Sequence, residues 1–189
     1  MGSAPGRTLR RLILLRHGEP TAADGRLLGS RLDPGLSERG RAQAIDSGLA
    51  LRGRSIGCVV CSPLRRAQET AAAAFPGLSI VIDPRLAEQD FGAFSGLTWE
   101  EAKARYADRA RAWRQAGASP PGGESHARLR ARVIEAAAAA AWLDTDGEVV
   151  LVTHHMPIRA LVCEARRWPA CDWRRIDVPH GGRRLVRLA

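Results

Sequence analysis

The chain has 189 residues, 45% of them hydrophobic, and a formal net charge of +9 at pH 7. This size and composition are ordinary for one globular domain with a sizeable core, and we expect a single domain over residues 1–189. No apolar run approaches the roughly 20 residues of a membrane-spanning helix. The first residues lack the features of a secretory signal. We therefore expect a cytoplasmic protein that does not associate with membranes, with residues 1–8 as a loose leader.

The predicted elements of the first half alternate between short strands and helices. The apolar run LILL predicts a buried strand over Leu12–Arg16, and a Gly-, Asp- and Pro-rich loop follows at 21–35. Ser37 is a good N-cap for a helix that extends to about Leu51. Further elements are a strand at 58–61, a helix capped by Ser62 and continuing through 71–74, and a strand at 79–82.

The second half continues the alternation. Thr98 and Glu101 have capping-box spacing, and helical sequence runs on to Gln115. The predicted elements after the breaker GASPPGG are a helix at 124–143, a strand at 148–153, a helix at 158–166 and a strand at 184–188. Strands that alternate with helices predict an α/β fold with helices on both faces of a mostly parallel sheet.

The positive charge is almost entirely arginine, with Lys103 as the one lysine. A basic surface attracts anions, and nucleic acids and phosphorylated small molecules are both candidates. An alternative is that the Ala- and Arg-rich composition, and with it the positive charge, reflects the coding bias of the source genome. The arginines are dispersed and no aromatic residues interleave with them, so we expect a small phosphorylated ligand rather than nucleic acid.

Four cysteines, Cys58, Cys61, Cys163 and Cys171, raise the question of a metal or redox site. Cys58 and Cys61 have C-x-x-C spacing, but they lie in a predicted strand, where residues three apart point to opposite faces. One strand cannot easily aim both thiols at one metal. We therefore expect packed thiols, with no metal and no other cofactor.

Several strands end in groups that could handle an anion. Arg16 and His17 follow the first strand, Arg65 follows the second, and His154 follows the fourth, while Glu88 lies in the loop after the third. Parallel strands bring their carboxyl ends to one edge of the sheet, where ligands bind. Guanidinium groups bind phosphate in a bidentate fashion, so together these residues predict a pocket for a phosphate dianion.

Each of these residues also has an ordinary alternative. Arg65, beside Arg66, could be solvated helix surface, and Glu88 could be an acid in a loop. The remaining histidines, His126, His155 and His180, are more often core or surface residues than ligands. The conjunction of the groups carries the prediction.

Five segments, LLRHGE, CSPLRRAQET, LAEQDFGAFSGLTWEE, PPGGES and VTHHMPIRAL, resemble in order and spacing the histidine phosphatase superfamily, in its phosphoglycerate-mutase-like branch. The resemblance covers about Arg11 to Leu161. It implies a three-layer α/β/α sandwich around a mixed, mainly parallel central sheet. It also implies a phosphoric monoester hydrolase.

The resemblance implies roles for particular residues. His17 matches the histidine that becomes phosphorylated, and Arg16 and Arg65 match the arginines that hold the phosphoryl oxygens. His154 matches a second histidine that contacts this group, and Glu88 matches the general acid. The backbone amide of His155 and the loop residue Gly29 are further candidates for phosphate binding. The sequence does not decide between a monomer and a homodimer.

Some positions depart from the family pattern. Ala23 stands where many members carry asparagine, and His155 and Met156 stand where a small residue is common. The chain is shorter than the glycolytic mutases and lacks room for their insertion, which favours a phosphatase over a mutase. These departures put fine substrate contacts in question and leave the chemistry intact.

Within the family, the short chain, the loop LLGSRLDPGLSERG and the segment TWEE…AWRQ…PPGGES most resemble α-ribazole phosphatases of cobalamin biosynthesis. We therefore expect α-ribazole 5′-phosphate as substrate, with residues 85–125 covering the site. The aromatic residues of this segment, Phe91, Phe94, Trp99 and Trp113, could form a wall beside the substrate or pack the core. Alternatives are a broad sugar or nucleotide phosphatase, a mutase-type phosphotransferase, and a non-enzymatic binder of phospho-ligands or nucleic acid.

Overall fold

The computed structural model describes residues 11–21, 24–169, 173 and 175–187. The predicted leader at 1–8, Ala23 and Cys171 therefore lie outside the described residues. The strands are β1 (Leu12–Arg16), β2 (Ile56–Cys61), β3 (Ile80–Ile82), β4 (Glu148–Thr153) and β5 (Arg183–Val186). The helices are α1 (Glu38–Leu49), α2 (Arg65–Ala74), α3 (Trp99–Arg105), α4 (Ala107–Ala116), α5 (His126–Ala141) and α6 (His155–Ala165).

The five strands form one sheet in the order β3-β2-β4-β1-β5. β1 is parallel to β4, and β2 is parallel to both β3 and β4. Only the pairing of β5 with β1 is antiparallel within this sheet. Arg16 lies opposite Thr153 in the β1–β4 register, so the residues that follow these two central strands emerge side by side. The mixed, mainly parallel sheet that the resemblance implied is confirmed.

Alternate residues of β1 enter two separate cores. Leu12 and Leu14 join a cluster with residues of α5 and α6, whereas Ile13 and Leu15 join a cluster with residues of α2. α1 packs on α2 so closely that a Cβ added at Gly48 would lie 2.1 Å from a carbonyl oxygen of α2. Helices therefore cover both faces of the sheet, which confirms the three-layer α/β/α sandwich.

The two cysteines of β2 point to opposite faces, as the strand period predicts. Cys61 is buried in the cluster with α2, and Cys58 packs against the cluster with α5 and α6. Cys58 and Cys61 are free thiols. Within the described ranges, no three His, Cys, Asp or Glu residues are grouped so that they could hold a metal ion.

Two helix boundaries predicted for the second half of the chain are wrong. The helix predicted from Thr98 to Gln115 breaks at Tyr106, which has φ −139° and separates α3 from α4. α6 begins at His155 rather than at Ile158, because Pro157 fits the first turn, where its missing N–H costs nothing. The capping box of Thr98 and Glu101 is confirmed. No helix in the described part of the chain is both long and apolar enough to cross a bilayer.

Candidate active site

The central strands β1 and β4 place two histidines next to each other at the carboxyl edge of the sheet. The backbone N–H of His17 donates to the carbonyl of Thr153 at 3.0 Å, which continues the strand pairing by one residue. The ring centroids of His17 and His154 are 5.0 Å apart, and both side chains are buried. The predicted convergence of these strand ends is present in the structure.

The ring of His17 is held by its own neighbour. Its Nδ1 lies 2.7 Å from the carbonyl oxygen of Gly18. Because a carbonyl oxygen only accepts, Nδ1 carries the proton and Nε2 keeps its lone pair. Burial and the charges of Arg66 and Arg16 hold the pKa of His17 well below its ordinary value, so the ring is neutral.

Glycine is required at position 18. A Cβ there would lie 2.1 Å from the carbonyl oxygen of Gly40 in α1, and a Cβ at Gly40 would lie 2.0 Å from the carbonyl of Glu19. The chain after β1 therefore runs against the first turn of α1 with no space for side chains. This contact fixes the carbonyl group that orients His17.

His154 is held by a residue for which the sequence predicted a different role. Its Nε2 lies 2.7 Å from the hydroxyl of Ser62, at the end of β2. Ser62 was expected to cap α2, but the N-cap position is Leu64, whose backbone N–H donates to the Ser62 hydroxyl at 3.2 Å. Burial, with the nearby charge of Arg66 next, keeps the pKa of His154 well below normal.

Arg16 is anchored by the C-terminal part of the chain. Its guanidinium donates to the carbonyl of Val178 at 2.6 Å, and its Nη2 lies 3.0 Å from Nε2 of His180. Burial lowers the pKa of His180 to about 4, so this ring is neutral and its Nε2 accepts the bond. The ring of His180 is also 5.4 Å from that of His17. Sequence reasoning had treated His180 as an ordinary histidine.

The prediction for Arg65 is wrong in its placement. Its side chain is 68% exposed, and its Nε donates to Glu69, one turn along α2, at 2.7 Å. α2 begins at Arg65, two residues later than a cap at Ser62 would place it. The side chain of Arg65 consequently lies on the solvent face of the helix.

Arg66 occupies the position that had been assigned to Arg65. Its side chain is 1% exposed, and it donates to the carbonyl groups of Gly29 at 2.8 Å and Leu32 at 2.9 Å. Its charge lowers the pKa of both His17 and His154. Arg65 and Arg66 are adjacent in the segment RRAQET. The residue at which α2 begins determines which of the two side chains faces the histidines.

The structure shows other contacts of Gly29 and His155, and their expected contacts with phosphate stay predictions. Gly29 has φ +59° and presents its carbonyl oxygen to Arg66, so it positions an arginine. The ring of His155 faces Asp177, with 3.6 Å between Nε2 and Oδ1. The His155 amide opens α6 beside His154, and contact between this amide and a phosphate stays a prediction.

Glu88 is 7% exposed, and its carboxylate accepts the backbone N–H of Gln89 at 2.8 Å. Burial raises the pKa of Glu88, while the charges of Arg66 and Arg16 oppose the shift. Arg132 donates to the carbonyl groups of Glu88 at 3.1 Å and Ala87 at 2.8 Å. A carboxyl group with a raised pKa, on a fixed loop, is suited to the role of a proton donor.

Three buried nitrogen atoms of this site lack a hydrogen-bond partner among the described residues. They are Nε of Arg16, Nε of Arg66 and Nδ1 of His154. Unpaired buried polar atoms are rare because each carries a desolvation cost. Two guanidinium N–H donors and an imidazole nitrogen beside His17 form a site that can receive the oxygens of a phosphoryl group.

The aromatic residues expected near the substrate pack mainly with one another. Phe91 and Phe94 are buried, with ring centroids 5.3 and 5.8 Å from that of Trp113. Trp99 lies 6.0 Å from Trp113. The core alternative therefore describes the two phenylalanines, whereas the two tryptophans also line a cavity.

Two buried histidines with two arginines beside them lie at the carboxyl edge of an α/β/α sandwich. This arrangement is typical of proteins that bind phosphoryl groups. Residues 12–188 match the family model of the histidine phosphatase superfamily (branch 1). The chain belongs to this superfamily.

Three relatives illustrate the range of similar proteins. The bifunctional protein Rv2228c of Mycobacterium tuberculosis (strain H37Rv) is 40% identical over 167 residues, which are 82% of this chain and 44% of that protein. Glucosyl-3-phosphoglycerate phosphatase of the same strain is 37% identical over 175 residues, or 87% of this chain and 78% of that protein. The structure of a candidate α-ribazole-5′-P phosphatase of Escherichia coli K-12 superposes with a TM-score of 0.82 at 27% identity, covering 96% of each chain.

The chain thus spans less than half the length of the first of these relatives. The other two carry the names of phosphatases.

Proposed function

We propose that this chain is a phosphomonoesterase that works through a phosphohistidine intermediate and needs no metal ion. The carrying observation is the 2.7 Å contact between Nδ1 of His17 and the carbonyl of Gly18, because it leaves Nε2 as a nucleophile. Family membership and the phosphatases among the relatives support this reaction class.

In the first step, Nε2 of His17 attacks phosphorus, the N–P bond forms and the P–O bond to the alcohol breaks. The protonated carboxyl of Glu88 gives its proton to the departing oxygen. Arg16 and Arg66 stabilise the negative charge on the phosphoryl oxygens, with His154 beside them. The arginines thereby supply the positive charge that a metal ion provides elsewhere.

In the second step, water attacks the phosphohistidine and the N–P bond breaks. Glu88, now a carboxylate, accepts a proton from the water, and this restores the starting state. Inorganic phosphate then leaves the site.

The first experiment measures hydrolysis of p-nitrophenyl phosphate in buffer containing EDTA. We expect turnover without added metal, and label from a radioactive phosphate ester should be trapped in an acid-labile, base-stable form. Activity that disappears in EDTA and returns with a divalent ion would contradict the proposal. Label on serine or cysteine would contradict it equally.

For the natural substrate we propose α-ribazole 5′-phosphate, ahead of other sugar and nucleoside monophosphates. The loop at 27–40 and the segment at 98–125 support this choice, as does the similarity to the candidate E. coli enzyme. The 37% identity to a glucosyl-3-phosphoglycerate phosphatase favours a second candidate, a phosphorylated glycerate.

A panel of kcat/KM values separates these candidates. It contains α-ribazole 5′-phosphate, glucosyl-3-phosphoglycerate, 3-phosphoglycerate and a fructose bisphosphate. We expect α-ribazole 5′-phosphate to be at least ten times better than the others, which is about 1.4 kcal/mol of discrimination. A smaller margin removes the α-ribazole assignment and leaves the phosphatase.

A further inference from the structure

A cavity of about 960 Å³ lies outside the histidine and arginine cluster. Four tryptophans line it: Trp99 and Trp113 from α3 and α4, and Trp168 and Trp173 from the segment after α6. His126, the first residue of α5, stacks on Trp173 with ring centroids 4.5 Å apart and an interplanar angle of 20°. Aromatic walls of this kind suit a flat ring, which gains stacking and buries apolar area.

Three buried nitrogen atoms belong to the aromatic walls. Nε1 of Trp113, Nε1 of Trp173 and Nε2 of His126 are buried and have no hydrogen-bond partner among the described residues. The two tryptophans are only 8% and 2% exposed. An indole N–H is a donor only, and buried indoles usually find an acceptor. The residues that line the cavity therefore include two indole N–H donors without a partner among the described residues.

The cavity adjoins the catalytic cluster through α6. Met156 and Arg159 line it, and they lie two and five residues after His154. The charge of Arg159 interacts with Glu88, and it also acts on the pKa of Arg16. On the other side, Trp113 packs against Phe91, which follows Glu88 by three residues. The cavity therefore lies against the helix that follows His154 and near the loop that carries Glu88.

The charge of the residues that line the cavity restricts the charge of a ligand that could bind there. The ionisable side chains among the described lining residues are arginines and one histidine, with no carboxylate. Arg130 pairs with Glu164 and Arg114 stacks on Trp99, whereas Arg159 is held by the carbonyl of Ile176 at 2.8 Å. The cavity consequently suits a neutral or anionic ring and disfavours a cationic one.

We infer that this cavity binds the leaving group of the substrate, and that this group is a heteroaromatic ring with hydrogen-bond acceptor atoms. The inference rests on the proposed phosphatase function, whose substrate class it specifies. The indole N–H groups of Trp113 and Trp173 recognise the acceptors, and the stacked rings recognise the flat shape.

The test compares two esters that differ in the ring alone, adenosine 5′-monophosphate and ribose 5-phosphate. We expect kcat/KM of the wild type to be at least about tenfold higher for adenosine 5′-monophosphate, a margin that stacking and hydrogen bonds to a base supply. Trp113→Phe and Trp173→Phe keep an aromatic ring and delete the donor. Each should lower the ratio of the two kcat/KM values about three- to tenfold, mainly through KM.

Trp142→Phe is the matched control, because Trp142 is 54% exposed and is not among the residues that line the cavity. This variant should keep the wild-type ratio. A wild-type ratio near one, with ribose 5-phosphate still hydrolysed, overturns the ring site and leaves the phosphatase intact. Ratios in Trp113→Phe and Trp173→Phe that match the control overturn it as well.

A binding measurement tests the ring site independently of activity, for the case in which a variant fails to fold or the protein is inactive. Adenosine should quench the tryptophan fluorescence of the wild type in a saturable manner, whereas ribose should not. Failure to hydrolyse any ester would overturn the phosphatase, and saturable quenching by adenosine would then still support a ring site. Absence of saturable quenching would overturn the ring site whatever the activity.

Discussion

Nδ1 of His17 and the carbonyl oxygen of Gly18 lie 2.7 Å apart, so a residue adjacent in sequence selects the tautomer of the proposed nucleophile. We expect His17→Ala to lower kcat by at least about 10⁴-fold, the scale on which covalent catalysts lose activity with their nucleophile. Steady-state assays and trapping of the labelled intermediate measure this. Substantial turnover, or label retained in His17→Ala, would assign the covalent step to another residue.

Arg65 and Arg66 give a matched pair of adjacent arginines with opposite surroundings. Arg66→Lys should lower kcat/KM by about 10²- to 10³-fold, because a buried donor to the transition state is replaced by one with different geometry. Arg65→Lys should stay close to wild type, since its guanidinium is exposed and bonded to Glu69. Kinetics of both variants, with thermal melts as a check on folding, decide the matter. A larger loss in Arg65→Lys would reverse the structural assignment.

The buried carboxyl of Glu88 predicts a dependence on the leaving group. Glu88→Gln should lower kcat by about 10²- to 10⁴-fold for an alkyl phosphate, and less for p-nitrophenyl phosphate, whose leaving group departs without a proton. Because the acid must be protonated, wild-type kcat on the alkyl ester should fall as pH rises through the raised pKa of Glu88. The Gln variant should lack this limb. Equal losses on both esters would indicate a binding role.

Arg132 is placed to position Glu88 rather than to touch the substrate. It donates to the carbonyl groups of Arg85, Ala87 and Glu88 and pairs with Glu124 at 2.8 Å. Arg132→Ala should therefore reproduce part of the Glu88→Gln pattern, with a greater loss on the alkyl ester than on the nitrophenyl ester. Arg111→Ala, at an exposed arginine of α4, is the control. A uniform loss on both esters would show a general effect on folding instead.

All five histidines of the chain have pKa values below their ordinary value. Burial is the main cause, and it lowers the pKa to about 4 for His126 and about 3 for His155. Below pH 6.5 the unfolded chain takes up protons that the folded chain refuses, so the free energy of unfolding decreases as pH falls. The loss continues down to the folded pKa values. Each histidine adds at most about 1.4 kcal/mol per pH unit.

Urea unfolding at pH 7.5 and pH 5.5 measures this loss, and we expect a lower midpoint at pH 5.5. His155→Gln should make the decrease shallower, because one group fewer takes up a proton on unfolding. The raised pKa of Glu88 acts in the opposite direction, since it favours the folded state only as pH falls below the folded pKa. Equal midpoints at the two pH values would contradict the histidine effect.

The sequence predicted those parts of the molecule that local rules determine. The bounds of β1 and β4 agree with the apolar runs, and the caps at Ser37 and Thr98 are present. The convergence of His17 and His154 could be predicted, because parallel strands share one edge and the family resemblance implied that both residues contact the same group.

Other features depend on geometry that local rules do not contain. The choice between Arg65 and Arg66 depends on where α2 begins, and one residue rotates a side chain by about 100° around a helix axis. Ser62 fits the local rule for an N-cap, yet its hydroxyl forms a hydrogen bond with His154, which follows the neighbouring strand β4. His180 reaches Arg16 only because β5 pairs antiparallel with β1, which no local pattern announces.

The position of β1 in the sheet has a consequence for biosynthesis. β1 is made before both of its partners, β4 and β5, which follow it in the chain only after α5. Until then an apolar strand has two open edges, so a nascent chain is a candidate for chaperone binding. The guanidinium of Arg16 is also anchored only after Val178 and His180 have been made, because it bonds to the Val178 carbonyl and to His180. A ribosome-bound chain stalled before residue 178 should therefore lack phosphatase activity, and activity should emerge only once β5 has been made.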